Sequence, residues 1–327
     1  MTKPDFNPTA SIETLRRRAK VIRKVREFFE DRDFFHVETP VLSHDTVVDR
    51  YLEPIGVEKS RLGLAGGCEE KLWLQTSPEF GMKRLLAAGA EAIYQITKSF
   101  RAEEAGGRHN PEFSMLEWYR VGQTMAESMD LLAEFAQTIL ERESTEQLTY
   151  RQTFRRYAGV DPFESPESEL EDLLRNHGVE FAEGERPQDR DGWLNLILGC
   201  VIESQLGVSQ PVIVYDWPAS QSALAMVRDE SPPVAERFEL YIEGVELANG
   251  YHELLDAEEL ERRNQIVNQQ RVEDGRQALP SESRLLDAMR SGLPDCCGVA
   301  LGIDRLVMVA LGIDSISEVL AFDIQNA

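Results

Sequence analysis

Apolar residues recur at helical spacing near the start of the chain. Ile12, Leu15, Ala19, Ile22, Val25 and Phe29 form one stripe, with Arg and Lys on the other side. Ser11 stands where a cap belongs, so the pattern predicts a helix to about Asp31. Residues 1–10 carry no such period and are expected as a loose tail. Phe34–Pro40 reads as a strand stopped by Pro40, and the Gly- and charge-rich stretch 56–71 as a loop. Leu72-Trp73-Leu74 is a short strand. Ser77 then caps a helix to Gly89, with Pro78 in its first turn and Glu79 near its positive end. Alternation from Ile93 predicts a strand that runs on through Arg101 and Glu103, placing both on one face. A returning strand puts Phe113, Met115, Glu117 and Tyr119 on one face.

Farther on, helical spacing predicts a helix at about 124–143. The acidic stretch 160–192, with Pro162, Pro166 and Pro187, is expected to carry a small helical insertion. A helix over 192–206 leads to a strand at Val212-Ile213-Val214-Tyr215. Phe238–Ile242 and Val245–Asn249 flank a Glu243-Gly244 turn and read as a hairpin. A helix over 257–274, a strand at Gly298–Leu301 and a helix opening near Asp304 follow. Hairpin-linked strands with helices between the groups predict an α+β fold, an antiparallel sheet flanked by helices rather than a doubly wound parallel one.

Composition narrows the function. The chain has 327 residues, 42% of them hydrophobic, enough for one large domain or two smaller ones. No apolar run is long enough for a membrane span and the start has no apolar signal region; the cytoplasm is the expected location. A formal charge of −23 disfavours general nucleic-acid binding. The basic run Arg16-Arg17-Arg18-Ala19-Lys20 reads as a solvated helix face rather than an RNA site. Four cysteines, Cys68, Cys200 and the adjacent Cys296-Cys297, show neither zinc spacing nor a disulfide framework and read as buried thiols.

The chemistry concentrates between Phe100 and Tyr119. Phe100-Arg101-Ala102-Glu103-Glu104, His109-Asn110-Pro111-Glu112-Phe113 and Met115-Leu116-Glu117-Trp118-Tyr119 put an arginine, carboxylates and aromatics on one hairpin. A structural hairpin has little use for so many polar groups on one side. Arg can clamp a phosphate, Phe can stack on a purine, and Glu with Tyr can take an ammonium.

Phe34–Pro40, Phe100–Tyr119 and Gly298–Met308 resemble motifs one, two and three of a class II aminoacyl-tRNA synthetase. Thr76-Ser77-Pro78-Glu79, His109–Tyr119 and Gly244–Glu253 resemble its lysyl branch. Motif one begins within the first forty residues, which leaves no room for the anticodon-binding domain of lysyl-tRNA synthetases. The combination is similar to the shortened synthetase paralogues that place (R)-β-lysine on elongation factor P. It implies a catalytic domain over 11–327, ATP and Mg²⁺ as co-substrate and cation, elongation factor P as the acceptor, little use of tRNA, and a homodimer built around Pro40.

The resemblance also assigns residues. Arg101 would hold the α-phosphate and the substrate carboxylate; a structural salt bridge is the other reading. Glu103 would contact ATP, or else pair with a lysine across the strand. Asn110, by its amide or its backbone, and Phe113 would read adenine. Arg305 would cover the other adenine face and reach the γ-phosphate, while Gly302 allows close approach and Leu247 lies beside the nucleotide. Glu246 and Glu253 would bind Mg²⁺, with Glu253 also near the substrate; two exposed strand carboxylates are the alternative. Seven residues apart, they would face oppositely on an ideal strand, and Asn249-Gly250 is the expected place for a bulge. Ser77, Pro78, Glu79, Glu117 and Tyr119 would form the amino-acid pocket. Ala300, where lysyl-tRNA synthetases commonly have Gly, would reshape its floor. His109 and His252 are not expected to act as acid or base, because adenylation rests on electrostatics and positioning. Two other functions remain open: a stand-alone lysyl-adenylating enzyme with tRNA or another amine as acceptor, and an inactive regulatory module.

Overall fold

The computed structural model describes residues 6–63, 71–181 and 186–327. The chain divides into two compact units, residues 1–123 with 254–327, and residues 124–253. The first part of unit one carries α1 (Ile12–Glu30), β1 (Phe35–His36), β2 (Leu42–Ser43), β3 (Gly56–Glu58), β4 (Lys71–Leu74), α2 (Glu79–Ala87), β5 (Ala92–Phe100) and β6 (Glu112–Val121). Unit two carries α3 (Met125–Leu140), β7 (Glu146–Thr149), α4 (Tyr150–Tyr157), α5 (Glu167–Asn176), α6 (Arg190–Ile197), β8 (Val212–Pro218), β9 (Val227–Arg228), β10 (Val234–Ile242) and β11 (Val245–His252). The chain then returns to unit one with α7 (Ala257–Glu273), α8 (Arg284–Gly292), β12 (Cys296–Gly302) and α9 (Ile303–Leu311).

In unit one the strands run β1-β5-β6-β12, with β2-β4-β3 as a separate small sheet. The Ser11 hydroxyl accepts the Thr14 N–H at 3.0 Å and starts α1 as expected. Val25, Phe28 and Phe29 bury its inner face. Phe29 stacks on Tyr94 of β5 with ring centroids 5.1 Å apart and lies 5.0 Å from Trp118 of β6. Those two residues alternate with the polar positions of their strands, so α1 covers one face of the sheet and leaves the chemistry on the other. Ile12 and Ala19 of the expected stripe are exposed.

The long hairpin is antiparallel, with Ile93 opposite Tyr119 and Gln95 opposite Glu117. Its first strand stops at Phe100, short of the expected Arg101 and Glu103. There the backbone changes partners: Ala102 N–H donates to Glu53 O at 2.9 Å, and Glu103 adopts φ +65°. Arg101 and Glu103 therefore do not share a strand face. The motif-one strand is also shorter than expected: it spans Phe35 and His36, paired parallel to Ile93 and Tyr94. Part of the expected 56–71 loop is ordered as β3 and a 3₁₀ turn at Lys59–Leu62. Thr9 and Ala10 are not loose: their N–H groups donate to Ala321 and Leu320 carbonyls at 2.8 and 3.0 Å.

In unit two the order is β7-β8-β10-β11, with β9 beside β10. Thr124 and Glu127 form a reciprocal capping box that starts α3. Tyr150, Phe154, Leu170, Leu174, Trp193 and Ile197 from the helices pack with Val212, Val214 and Trp217 into one core. The expected helix over 192–206 is instead α6, a π-helical turn at Leu198–Ile202 and a 3₁₀ turn at Glu203–Gln205. Gly199 and the β-branched Val201 and Ile202 are weak helix formers at the place where the ladder widens. The β10–β11 hairpin turns on Glu243 and Gly244, at φ +54° and +69°, the left-handed pair that a two-residue hairpin demands.

The fold is the expected α+β one. Parallel pairing adds to the antiparallel plan at β1–β5 and β7–β8. Cys296 and Cys297 are buried as expected, whereas Cys200 is exposed, on the widened turn; Cys68 lies outside the described residues.

Candidate active site

One face of β5, β6 and β12 carries residues expected to meet the amino acid. Gln95, Glu117 and Ala300 lie in register across the three strands. Glu117 is buried, and the Tyr119 hydroxyl donates to its Oε2 at 2.9 Å. Period two puts these two side chains on the same face, as the alternation required. A carboxylate held by a phenol in a desolvated row is a receptor for an ammonium group. Directly opposite Glu117, Ala300 offers only a methyl.

At the start of α2 the Ser77 hydroxyl accepts the Glu79 N–H at 3.2 Å, so it satisfies one of the orphan donors of the helix. Pro78 occupies the cap position and Glu79 the first helical one, one residue later than expected. Glu79 is not a lone dipole partner. Its Oε1 sits 2.5 Å from the ammonium of Lys83, which is only 2% exposed. Lys83 had no signal in the sequence beyond its i,i+4 spacing from Glu79.

The residues expected to meet the nucleotide lie around the other end of β6. Arg101 sits 5.0 Å from the Phe113 ring centroid and 3.8 Å from Glu104, and its Nε is buried with no hydrogen-bond partner among the described residues. An arginine so placed keeps donor capacity for an anion. Arg305 Nη2 lies 2.6 Å from His109 Nε2. A Cβ on Gly302 would meet only the Arg305 side chain, at 3.8 Å, so the protein's own packing does not demand a glycine there. Glu103 is exposed and pairs with Arg276 at 3.4 Å, not with a lysine. The Asn110 side chain is engaged by the protein: its Nδ2 donates to Glu112 O at 2.6 Å and its Oδ1 accepts the Ile324 N–H at 3.0 Å.

Beneath this end lies a buried network. Asp304 Oδ2 accepts the Ser114 N–H at 2.7 Å, and its Oδ1 is 2.6 Å from Arg18 Nη2, which also donates to Ser114 Oγ at 3.1 Å. Arg18 is thus turned inward, unlike the solvated face expected for its run. The other arginines of that run, Arg16 and Arg17, are exposed.

Unit two carries the paired carboxylates. Glu246 is opposite Tyr241 and Ala248 is opposite Leu240, which leaves Leu247 as an extra residue in β11. This bulge resets the alternation, so Glu246 and Glu253 come to one face despite their odd spacing. It lies at Leu247 rather than at Asn249-Gly250. Leu247 itself is buried. Carboxylates on this face are hard oxygen ligands of the kind Mg²⁺ takes in part from protein and in part from phosphate. Among the described residues no group of three or more His, Cys, Asp or Glu is arranged to hold a metal. On the same face of β10, Glu239 accepts from Arg237 at 2.5 Å and from the Tyr241 hydroxyl. Burial pushes the Glu239 carboxyl up to about 7, with Arg237 opposing the shift and Glu246 adding to it. His252 pairs with Glu236, and strand alternation turns it away from the face of Glu253.

Of the residues singled out from the sequence, Ser77, Pro78, Glu79, Arg101, Glu103, Asn110, Phe113, Glu117, Tyr119, Ala300, Gly302 and Arg305 lie in unit one, and Glu246, Leu247 and Glu253 in unit two. Lys83, Arg18, Asp304, Arg237 and Glu239 were missed, because a charged residue on a helix or strand reads as exposed until its neighbours are known.

Among the described residues no helix is long and apolar enough to cross a membrane. A family model described as tRNA synthetases class II (D, K and N) matches residues 5–326. Similar curated proteins include one from Vibrio cholerae, 47% identical with all of both chains covered, and one from Mannheimia succiniciproducens, 46% identical over 98% of each. One from Avibacterium paragallinarum is 44% identical over the whole of both chains. All three are named elongation factor P–(R)-β-lysine ligase. With three ordered motifs and full-length similarity in agreement, the chain belongs to the class II tRNA synthetases of the D, K and N type and, within them, to the family of elongation factor P–(R)-β-lysine ligases.

Proposed function

We propose that the protein activates (R)-β-lysine with ATP and transfers the β-lysyl group to a lysine ε-amine of elongation factor P. The observation that carries this is the single face of β6. It bears an ammonium receptor, Glu117 with Tyr119, and an aromatic platform beside an arginine, Phe113 with Arg101, four residues or about 13 Å apart.

In the first step a carboxylate oxygen of the amino acid attacks the α-phosphorus of ATP. A mixed anhydride forms and pyrophosphate leaves. Arg101 would hold both anions and offset their repulsion, which positions the nucleophile and stabilises the charge gained in the transition state. Glu117 and Tyr119 would take the distal ammonium, and Glu79, held by Lys83, the nearer one. Phe113 and Arg305 would sandwich the adenine. Glu246 and Glu253 would hold Mg²⁺, which neutralises phosphate charge when bound. In the second step the acceptor amine, as its free base, attacks the anhydride carbonyl. The new amide bond forms and AMP leaves.

The charge of −23 supports weak tRNA binding. Motif one around Pro40 is the proposed homodimer surface, and the cytoplasm, where elongation factor P acts, the proposed location. ATP–pyrophosphate exchange tests the activation step. It should require Mg²⁺ and (R)-β-lysine and fall at least 100-fold in Arg101→Ala, about the loss of one oxyanion donor. Exchange at the wild-type rate in that variant would remove Arg101 from the site.

A further inference from the structure

The loop between β5 and β6 carries Arg101 and Asn110 and delivers Phe113. Its tip closes on itself, with Gly106 N–H donating to His109 O at 3.0 Å and His109 N–H to Gly106 O at 3.3 Å. Residues 105–109 are all exposed, so packing does little to fix them. Two bonds reach the loop from residues 315–326. Ile316 N–H donates to Gly107 O at 2.9 Å, and Ile324 N–H donates to Asn110 Oδ1 at 3.0 Å. With Nδ2 bound to Glu112 O, the buried Asn110 amide becomes a strut between the loop and this segment.

The segment is itself held. Asp323 Oδ1 accepts the N–H groups of Gln325 and Asn326 at 3.1 and 3.0 Å, forming the turn that presents Ile324. Asp323 N–H donates to Thr9 Oγ1 at 3.2 Å, and Asn326 Nδ2 donates to Asn7 O at 2.9 Å. Upstream, Ile316 and Val319 are buried. The Ile324 side chain is 52% exposed, so its backbone donor, not its packing, links it to the loop.

We infer that residues 315–326 act as a positioning clamp on the nucleotide loop. By fixing Gly107 and Asn110 they set where the Asn110–Glu112 backbone and the Phe113 ring meet adenine. This rests on the proposed adenine-binding role of Asn110 and Phe113.

Ile324→Pro removes the N–H but also fixes φ and restricts Asp323, whereas Ile324→Ala keeps the N–H and controls for the side chain. ATP–pyrophosphate exchange with each variant gives KM for ATP and for (R)-β-lysine. One lost hydrogen bond to a buried amide predicts a rise in KM for ATP of about three- to tenfold in Ile324→Pro. KM for (R)-β-lysine should stay unchanged, the thermal midpoint should fall by no more than a few degrees, and Ile324→Ala should match the wild type. Asp323→Ala, which loosens the turn without a proline, should shift KM for ATP the same way. An unchanged KM for ATP in Asp323→Ala and Ile324→Pro overturns the clamp, as do equal rises in both KM values. Phe113→Ala separates the two claims. If it raises KM for ATP while Ile324→Pro does not, the clamp alone fails; if it leaves KM for ATP unchanged, the adenine assignment fails.

Discussion

The Asp304 carboxylate accepts the main-chain N–H of Ser114 at 2.7 Å, and so ties the helix that carries Arg305 to the strand that carries Phe113. The two proposed adenine-facing side chains are each one residue from this bond. Arg18 completes it, and Asp304 is only 2% exposed, so the charge is compensated inside the protein. Breaking a buried pair from one side leaves the other charge stranded. Arg18→Met should therefore destabilise the fold by about 3 kcal/mol, read by urea unfolding, and raise KM for ATP. A loss within about 0.5 kcal/mol, usual for a surface change, would show that the pair contributes little.

Lys83 and Glu79 form a second buried pair. Lys83→Met should cost about 3 kcal/mol of stability, because the Glu79 carboxylate loses its counter-charge. Adding Glu79→Leu should recover part of that loss while abolishing amino-acid-dependent exchange. A double-mutant cycle with no coupling would contradict the pairing.

Glu239 gives a pH dependence with a definite sign. Its carboxyl is raised by burial from the ordinary 4.5 to about 7 in the folded state. The folded protein thus binds the extra proton more readily than the unfolded chain. The associated stability is complete below about 4.5 and is lost as pH rises through about 7. Glu239→Gln removes this titration, so its stability relative to wild type should improve between pH 5 and pH 8. Parallel unfolding curves at the two pH values would place the Glu239 carboxyl near its ordinary range.

Ala300 stands opposite Glu117 in the strand register. β-Lysine carries its first ammonium one carbon farther from the carboxylate than lysine does, and the methyl of Ala300 would take space that an α-ammonium needs. One methyl discriminates by about 1–3 kcal/mol, or 10–200-fold. Ala300→Gly should improve exchange with α-lysine relative to (R)-β-lysine within that range. An unchanged ratio of kcat/KM values would free Ala300 from any role in specificity.

The face shared by Glu117 and Tyr119 was legible because a strand has period two, and the hairpin at Glu243-Gly244 because its turn chemistry is local. The odd spacing of Glu246 and Glu253 signalled a bulge but not its place. Asn249-Gly250 looks like a breaker, yet register against β10 puts the extra residue at Leu247. The end of β5 was missed for a similar reason: Ala102 leaves the ladder for Glu53, a partner about fifty residues away that alternation cannot see. Arg18 and Lys83 fit the pattern of solvated helix faces, and only tertiary contacts reveal them as buried counter-charges. The hold of Ile324 on Asn110 spans more than two hundred residues and has no local signature.

The proposed reaction transfers β-lysine to a protein amine. Its most direct measurement is the intact mass of purified elongation factor P after incubation with the enzyme, ATP, Mg²⁺ and (R)-β-lysine. Elongation factor P should gain one β-lysyl group on one lysine, absent without ATP and strongly reduced with Arg101→Ala, while tRNA(Lys) in a parallel reaction stays uncharged. An unmodified elongation factor P alongside efficient charging of that tRNA would contradict it.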